Sequence, residues 1–335
     1  MNAGILAEVV RGDVVESIHR GHLIVLDGSG ETLFEVGDAE TVTFFRSAAK
    51  AMQFIPCLLS GAADAFGFGE KEIALACASH SGEKMHTQLA AAMLEKTGLG
   101  EKDLRCGAHL PFDERTAEEM LRAGESPTQL HNNCSGKHAA MLAFAKHSGA
   151  PLETYEHPEN PIQKEILKII ELFTETPAAG IKTATDGCAA PNFAVTVRAM
   201  ARSFLKLVNP PADFDEPLKR ACRRIVEAKM RYPKLVGGTE RLDTLLMEAG
   251  AGRLISKIGA EGVWLCGVLP SPEYPDGLGI ALKIEDGEDR RARPAVAVEL
   301  LRRLGIFSAD TLENLSPLPI KNRRGDNVGQ VRAGF

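Results

Sequence analysis

The chain has 335 residues, 44% of them hydrophobic, enough to bury a substantial core in one large domain or two closely joined lobes. Its 45 acidic and 39 basic residues leave a formal charge of -6, which gives no field to draw in nucleic acid or anionic lipid, so neither partner is expected. The N-terminus lacks a signal-peptide pattern, no apolar stretch is long enough to span a bilayer, and seven scattered cysteines without a C-x-x-C pair read as buried, reduced thiols. A cytoplasmic protein is expected.

Strand-like alternation opens the chain over 5–10, 14–19 and 23–26. The turn Asp27-Gly28-Ser29-Gly30 then predicts a hairpin into 32–36. Helical spacing of apolar residues starts near Thr43 and continues through Leu59. Further helices are expected over 84–96, 136–147, 161–173 (Asn160 as N-cap, Pro161 in the first turn), 191–207, 216–230 and 242–249. Strand character returns over 254–258, 263–268 and 279–284, and a last helix covers about 294–304. Strands, helices, then strands imply an α/β (α+β) fold. One antiparallel sheet would be built from both chain ends, with a sheet lobe of about 1–60 and 250–335 and an inserted helical lobe of about 61–249.

The chemistry concentrates at Ser47-Ala48-Ala49-Lys50, which places a hydroxyl and an amine one helical turn apart. A serine near a helix N-terminus is also surrounded by unpaired backbone N–H groups, where an oxyanion would be stabilised. The same S-x-x-K spacing recurs at Ser81 and Ser203. Ser203 falls inside a helical pattern, where its hydroxyl should bond back to the preceding turn, and Ser81 reads as an N-cap region or a second wall of a site. Lys257, on a strand beside Gly259, is read from residues alone as an ordinary strand lysine, and Cys134 and Cys188 as buried thiols.

Five ordered motifs go further: Phe45-Arg46-Ser47-Ala48-Ala49-Lys50, Ala78-Ser79-His80-Ser81-Gly82-Glu83, His131-Asn132-Asn133-Cys134-Ser135-Gly136-Lys137-His138, Thr185-Asp186-Gly187-Cys188 and Lys257-Ile258-Gly259-Ala260-Glu261-Gly262. Together they resemble the asparaginase II family of the rhizobial type, over nearly the whole chain. The resemblance implies a fold similar to serine β-lactamases and glutaminases, and hydrolysis of L-asparagine to L-aspartate and ammonia by a homodimer. It implies Ser47, Lys50, Ser79 and Lys257 as the catalytic group, with Lys283 the alternative position for the second lysine. It also implies a zinc ion held by Cys134, Lys137 and Cys188. A neighbouring ammonium would depress a lysine pKa and help the other amine act as base for Ser47. A free amino-acid substrate needs a cation for its α-carboxylate, for which Arg46 and His138 suit, and an anion for its α-ammonium, for which Asp186 or Glu83 suit. The competing readings are a Cys134 nucleophile with His131 or His138 as base, a glutaminase or other S-x-x-K serine hydrolase, and a non-catalytic amino-acid-binding protein.

Overall fold

In a computed structural model, which describes residues 2–335, the chain divides into two compact units. The first comprises the chain up to Ala48, Val195–Asn209 and Leu245–Phe335; the second comprises Ala49–Ala194 and Pro210–Thr244.

The first unit is built on an eight-stranded antiparallel sheet. Its order runs Leu318–Lys321, Asn327–Ala333, Gly4–Arg11, Val14–Leu26, Leu278–Ile284, Val263–Val268, Leu254–Gly259, with Thr32–Val36 also paired to Val14–Leu26. Strands from the two chain ends therefore lie side by side, Ala7 opposite Ala333 and Val10 opposite Gln330. The expected strands over 14–19 and 23–26 are one continuous strand, Val14–Leu26, because its first half pairs with Gly4–Arg11 and its second half with Leu278–Ile284. The hairpin turn forms as expected: the Asp27 carboxylate accepts the Ser29 and Glu31 amides at 2.9 and 3.1 Å.

Val263–Val268 and Leu254–Gly259 are buried at every position, so period-two alternation is lost there, as in strands covered on both faces. Val197–Val208 and Ala292–Arg303 both touch Val263–Val268. The first comes so close that a Cβ on Gly279 would sit 2.3 Å from the Ala201 carbonyl, and one on Gly267 would sit 2.6 Å from a Val208 methyl. The second carries Arg293, whose Nη1 donates to the Gly259 and Val263 carbonyls at 2.8 and 3.2 Å and thereby fixes the turn after Lys257.

The span 191–207, expected as one helix, divides into a strand, Pro191–Thr196, and the helix Val197–Val208. Thr196 explains the break, since its hydroxyl accepts the Ala199 amide at 3.1 Å and caps the helix there. Upstream, Pro191–Ala194 pairs antiparallel with Lys182–Thr185.

The second unit is mainly helical. Its centre is the helix Ser135–His147, buried at every position from Ser135 through Ala145. It touches Lys50–Leu59, Glu70–Ala76, Lys84–Lys96 and Pro161–Thr174. Small residues permit this: a Cβ on Gly136 would fall 2.5 Å from the Leu75 carbonyl. A helix buried all round has no solvated face for its polar residues, so Lys137 and His138 in its first turn must find partners inside the protein. Asn160 caps Pro161–Thr174 as expected, accepting the Ile162 amide at 3.1 Å. All seven cysteines are buried and unbridged, and no helix among the described residues is long and apolar enough to cross a membrane.

Replacing Gly279 with alanine should cost about 1–3 kcal/mol of stability, because the Ala201 carbonyl leaves no room for a methyl group. Urea unfolding of Gly279→Ala with an unchanged midpoint would contradict this packing.

Candidate active site

Ser47 lies in a single 3-10 turn, Arg46–Ala49, that runs directly into the α-helix starting at Lys50. The continuous helix expected from Thr43 does not form, because Arg46 adopts a left-handed backbone, φ 50°. For an arginine this conformation costs on the order of 1–3 kcal/mol and persists only where the surroundings over-determine it. The Phe45 carbonyl just before Arg46 lies against Gly259, where a Cβ would sit 2.6 Å away. The space at Gly259 therefore admits the backbone that leads into Ser47, and places the Ser47 segment beside the Lys257 strand within the first unit. Ser47 itself is half-buried. The Arg46 guanidinium reaches to 3.9 Å from the Glu261 carboxylate in the turn that follows Gly259.

Lys257 is 1% exposed, and its Nζ donates to the Ile258 carbonyl at 2.8 Å. Lys283, the alternative second lysine, is tied to the Ile284 carbonyl at 2.7 Å and to that of Glu261, at the far end of the same turn.

In the second unit the structure joins Lys50 and Ser79. Lys50 is 1% exposed, and its Nζ lies 2.9 Å from Ser79 Oγ. It also donates to the Ala78 carbonyl and, at 3.3 Å, to the Asn133 carbonyl. Three acceptors match the three protons of an ammonium. Ser79 accepts from Lys50, so its own proton is free to be directed elsewhere.

Cys134, Lys137 and Cys188 also come together in this unit. Lys137 Nζ is 3.1 Å from Cys188 Sγ, which lies 3.9 Å from a carboxylate oxygen of Asp186. Cys188 is held as a thiolate, chiefly by a hydrogen bond from Cys134 and further by Lys137 and His138, against the cost of burial. The same bond to Cys188, with burial, pushes the Cys134 thiol well up. Burial works against the Lys137 charge, but Cys188, Cys134 and Asp186 outweigh it and raise its pKa.

His138 is fully buried beside this cluster. Its Nδ1 is 2.6 Å from Tyr155 Oη, which accepts the Arg105 amide at 2.9 Å. With the tyrosine proton given to Nδ1, the imidazole proton resides on Nε2. Burial lowers the pKa of His138, so it stands as a neutral imidazole. His131, the other candidate base for Cys134, uses its Nδ1 to accept the Thr128 amide at 3.1 Å.

Glu83 is the N-cap residue of Lys84–Lys96, yet its side chain does not cap that helix. Its two carboxylate oxygens accept from the Thr239 amide and the Thr239 hydroxyl, each at 2.8 Å. The other two S-x-x-K serines have structural partners. Ser203 bonds back to the Met200 carbonyl at 2.7 Å, as expected, and Ser81 donates to the Gly237 carbonyl at 2.9 Å.

Sequence reasoning did not find His80, Asn133, Tyr155 or Thr239 as contributors. The quoted motifs contain the first two, and the Gly237-Gly238 pair was the available signal for the last. Asn133 is a junction: its carbonyl accepts from Lys50 Nζ and the His80 amide, and its side-chain oxygen is 3.6 Å from Cys134 Sγ.

A profile of the L-asparaginase II family matches residues 7–333, and the chain belongs to that family. No functionally curated protein sequence matches it. Among solved structures it is similar to a probable glutaminase from Bacillus subtilis complexed with 6-diazo-5-oxo-L-norleucine, at 14% identity and TM-score 0.41, covering 86% of this chain and 85% of that one. It is also similar to the B. subtilis glutaminase YbgJ in covalent complex with 5-oxo-L-norleucine, at 15% identity and TM-score 0.40, covering 88% of each chain. Family membership makes the chain an amidohydrolase.

The loop carrying Ser79 contains a pH-sensitive element. His80 Nδ1 accepts the Gly82 amide at 3.2 Å, and its Nε2 donates to Ser135 Oγ at 2.9 Å, which in turn donates to the Leu130 carbonyl. His86 stacks on it with ring centres 4.8 Å apart, its Nε2 donating to the Lys234 carbonyl. Burial first, then the charges of His86, Lys50, His109 and His131, push His80 well down. Burial also lowers His86, although Glu83 and Asp113 oppose the shift. Both rings are thus neutral when folded but titrate near pH 6.5 when unfolded. Stability is complete above about pH 6.5 and is lost as pH falls toward the lowered folded values, by up to ~1.4 kcal/mol per pH unit for each ring. Urea midpoints should fall between pH 7 and pH 5.5, and a flat profile would mean that the rings titrate normally.

Proposed function

We propose that the protein is an L-asparaginase that hydrolyses the side-chain amide of L-asparagine through an acyl-enzyme on Ser47. The observation that carries this reading is the buried contact between Lys50 and Ser79, in a chain of the L-asparaginase II family whose Ser47 lies three residues before Lys50. Ser47 Oγ attacks the amide carbon while its proton passes to a lysine amine, that of Lys50 or of Lys257. The tetrahedral intermediate collapses as the C–N bond breaks, and Ser79 relays a proton from the lysine to the departing nitrogen, which leaves as ammonia. Water then attacks the β-aspartyl ester, giving its proton to the same amine, and aspartate and free Ser47 are released. The Lys50–Ser79 contact suits a relay because a neutral Lys50 amine would accept the Ser79 proton along the line on which an ammonium now donates.

Arg46 is the cation for the substrate α-carboxylate, since His138 stands neutral, and Asp186 is the anion for the α-ammonium. A Cys134 nucleophile is disfavoured because its thiol is held protonated by its bond to Cys188.

The cluster of Cys134, Lys137 and Cys188 fits the zinc ion implied by the family resemblance. It offers two sulfur donors and an amine, with Lys137 Nζ 3.1 Å from Cys188 Sγ and Cys134 bonded to Cys188. Lys137 must give up its proton to act as a ligand. When bound, the metal supplies a positive charge that orients substrate. The chain's own residues do the acyl transfer.

Ammonia release from L-asparagine, with L-glutamine in parallel, tests the assignment. Ser47→Ala should lower kcat at least about a thousandfold, and Ser79→Ala by about 10²–10⁴. Undiminished release by Ser47→Ala would move the chemistry elsewhere. Asp186→Ala should raise KM about 10–100-fold, as expected for loss of a charged hydrogen bond. Zinc measured per chain should drop in Cys188→Ala; full retention would remove Cys188 from the ligand set.

A further inference from the structure

The segment carrying Ser79 runs beside a second segment, 234–239, and is joined to it at nearly every step. The Ser79 amide donates to the Val236 carbonyl at 3.0 Å, Ser81 Oγ to the Gly237 carbonyl, and His86 Nε2 to the Lys234 carbonyl. At the end of this lacing the Glu83 carboxylate receives both the amide and the hydroxyl of Thr239. Between these attachments lies Gly238, at φ 111°. A Cβ there would meet Ser81 Oγ at 2.4 Å and a Glu83 carboxylate oxygen at 2.8 Å. From its other side, Thr244 Oγ holds the Gly238 carbonyl at 2.7 Å.

We infer that Glu83 is a positioning residue: its carboxylate fastens Thr239 and so holds the 236–239 segment against the Ser79 loop, rather than receiving the substrate α-ammonium. One observation separates these roles. Each carboxylate oxygen already accepts a well-placed proton from one residue of its own unit, which is the geometry of a fastening between segments. Through the Ser79–Val236 bond, the fastening fixes the backbone from which Ser79 Oγ meets Lys50. Loosening it displaces the relay without removing any group that touches substrate. Displacements of about 1 Å in such a group can cost on the order of 10²-fold in rate. The inference rests on the acyl-transfer reading above and adds a source for its geometry.

Glu83→Gln discriminates between the two roles. Glutamine keeps a carbonyl oxygen for the Thr239 amide and gains an NH₂ that can donate to the Thr239 hydroxyl, so the fastening survives while the charge is lost. For L-asparagine, Glu83→Gln should hold kcat and KM within roughly threefold of wild type. Glu83→Ala and Thr239→Val should lower kcat by about 10–100-fold with KM changed less than about threefold. A KM raised tenfold or more in Glu83→Gln would make Glu83 the ammonium ligand and overturn the inference, as would unchanged kcat in Glu83→Ala. Should Glu83→Ala fail to fold, the KM of Glu83→Gln and the kcat of Thr239→Val still decide. Amide hydrogen exchange gives a readout independent of turnover. Exchange at Ser79 should quicken in Thr239→Val and stay at the wild-type rate in Glu83→Gln. That result would support the fastening even if wild type released no ammonia, and equal exchange in all three proteins would refute it.

Discussion

The ammonium of Lys50 is the constraint around which the second unit is arranged. An isolated buried charge costs several kcal/mol even after relaxation, so a fold that keeps a lysine at 1% exposure must bring acceptors to it. Two of the three are backbone carbonyls, Ala78 and Asn133, from segments more than fifty residues apart. Each loop must therefore be placed with enough precision to complete the shell. Ser79, the third acceptor, is the only member able to pass a proton onward. The groups that solvate the lysine and the group that would act with it thus share one set of loops.

The cysteine cluster solves a similar problem with opposite charges. Lys137 enters the interior on a helix buried all round, and its neighbours answer with a thiolate and a carboxylate rather than carbonyls. Asn133 touches both arrangements, through its carbonyl to Lys50 and through its side chain to Cys134. That junction gives a physical reason for the compact spacing of residues 131–138, which carries no metal signature by itself.

Features governed by local chemistry were legible in the sequence. The Asp27 turn, the Asn160 cap with Pro161 and the back-bonded Ser203 each depend on residues a few positions apart. The antiparallel sheet from both chain ends followed from the order of alternating and helical stretches. What escaped depends on distant partners. Nothing in residues 43–50 announces the left-handed Arg46 or the close approach of the Phe45 carbonyl to Gly259, more than two hundred positions away. The same holds for the pairing of Glu83 with Thr239, which joins two segments more than a hundred and fifty positions apart. For the strand Pro191–Thr196 the helical pattern was real, but it begins only after Thr196 interrupts it.

The pairing of Ala7 with Ala333 has a consequence for how the chain is made. The strand Gly4–Arg11 is translated hundreds of residues before one of its two neighbours, Asn327–Ala333. Most of the second unit, the uninterrupted stretch Ala49–Ala194, can collapse on itself in the meantime. Until Asn327–Ala333 has been made, the earlier strand keeps an open row of backbone donors and acceptors, the kind of edge that invites pairing with another chain. The interval between translation of the helical stretch and arrival of Asn327–Ala333 is therefore one in which the nascent sheet is open to aggregation.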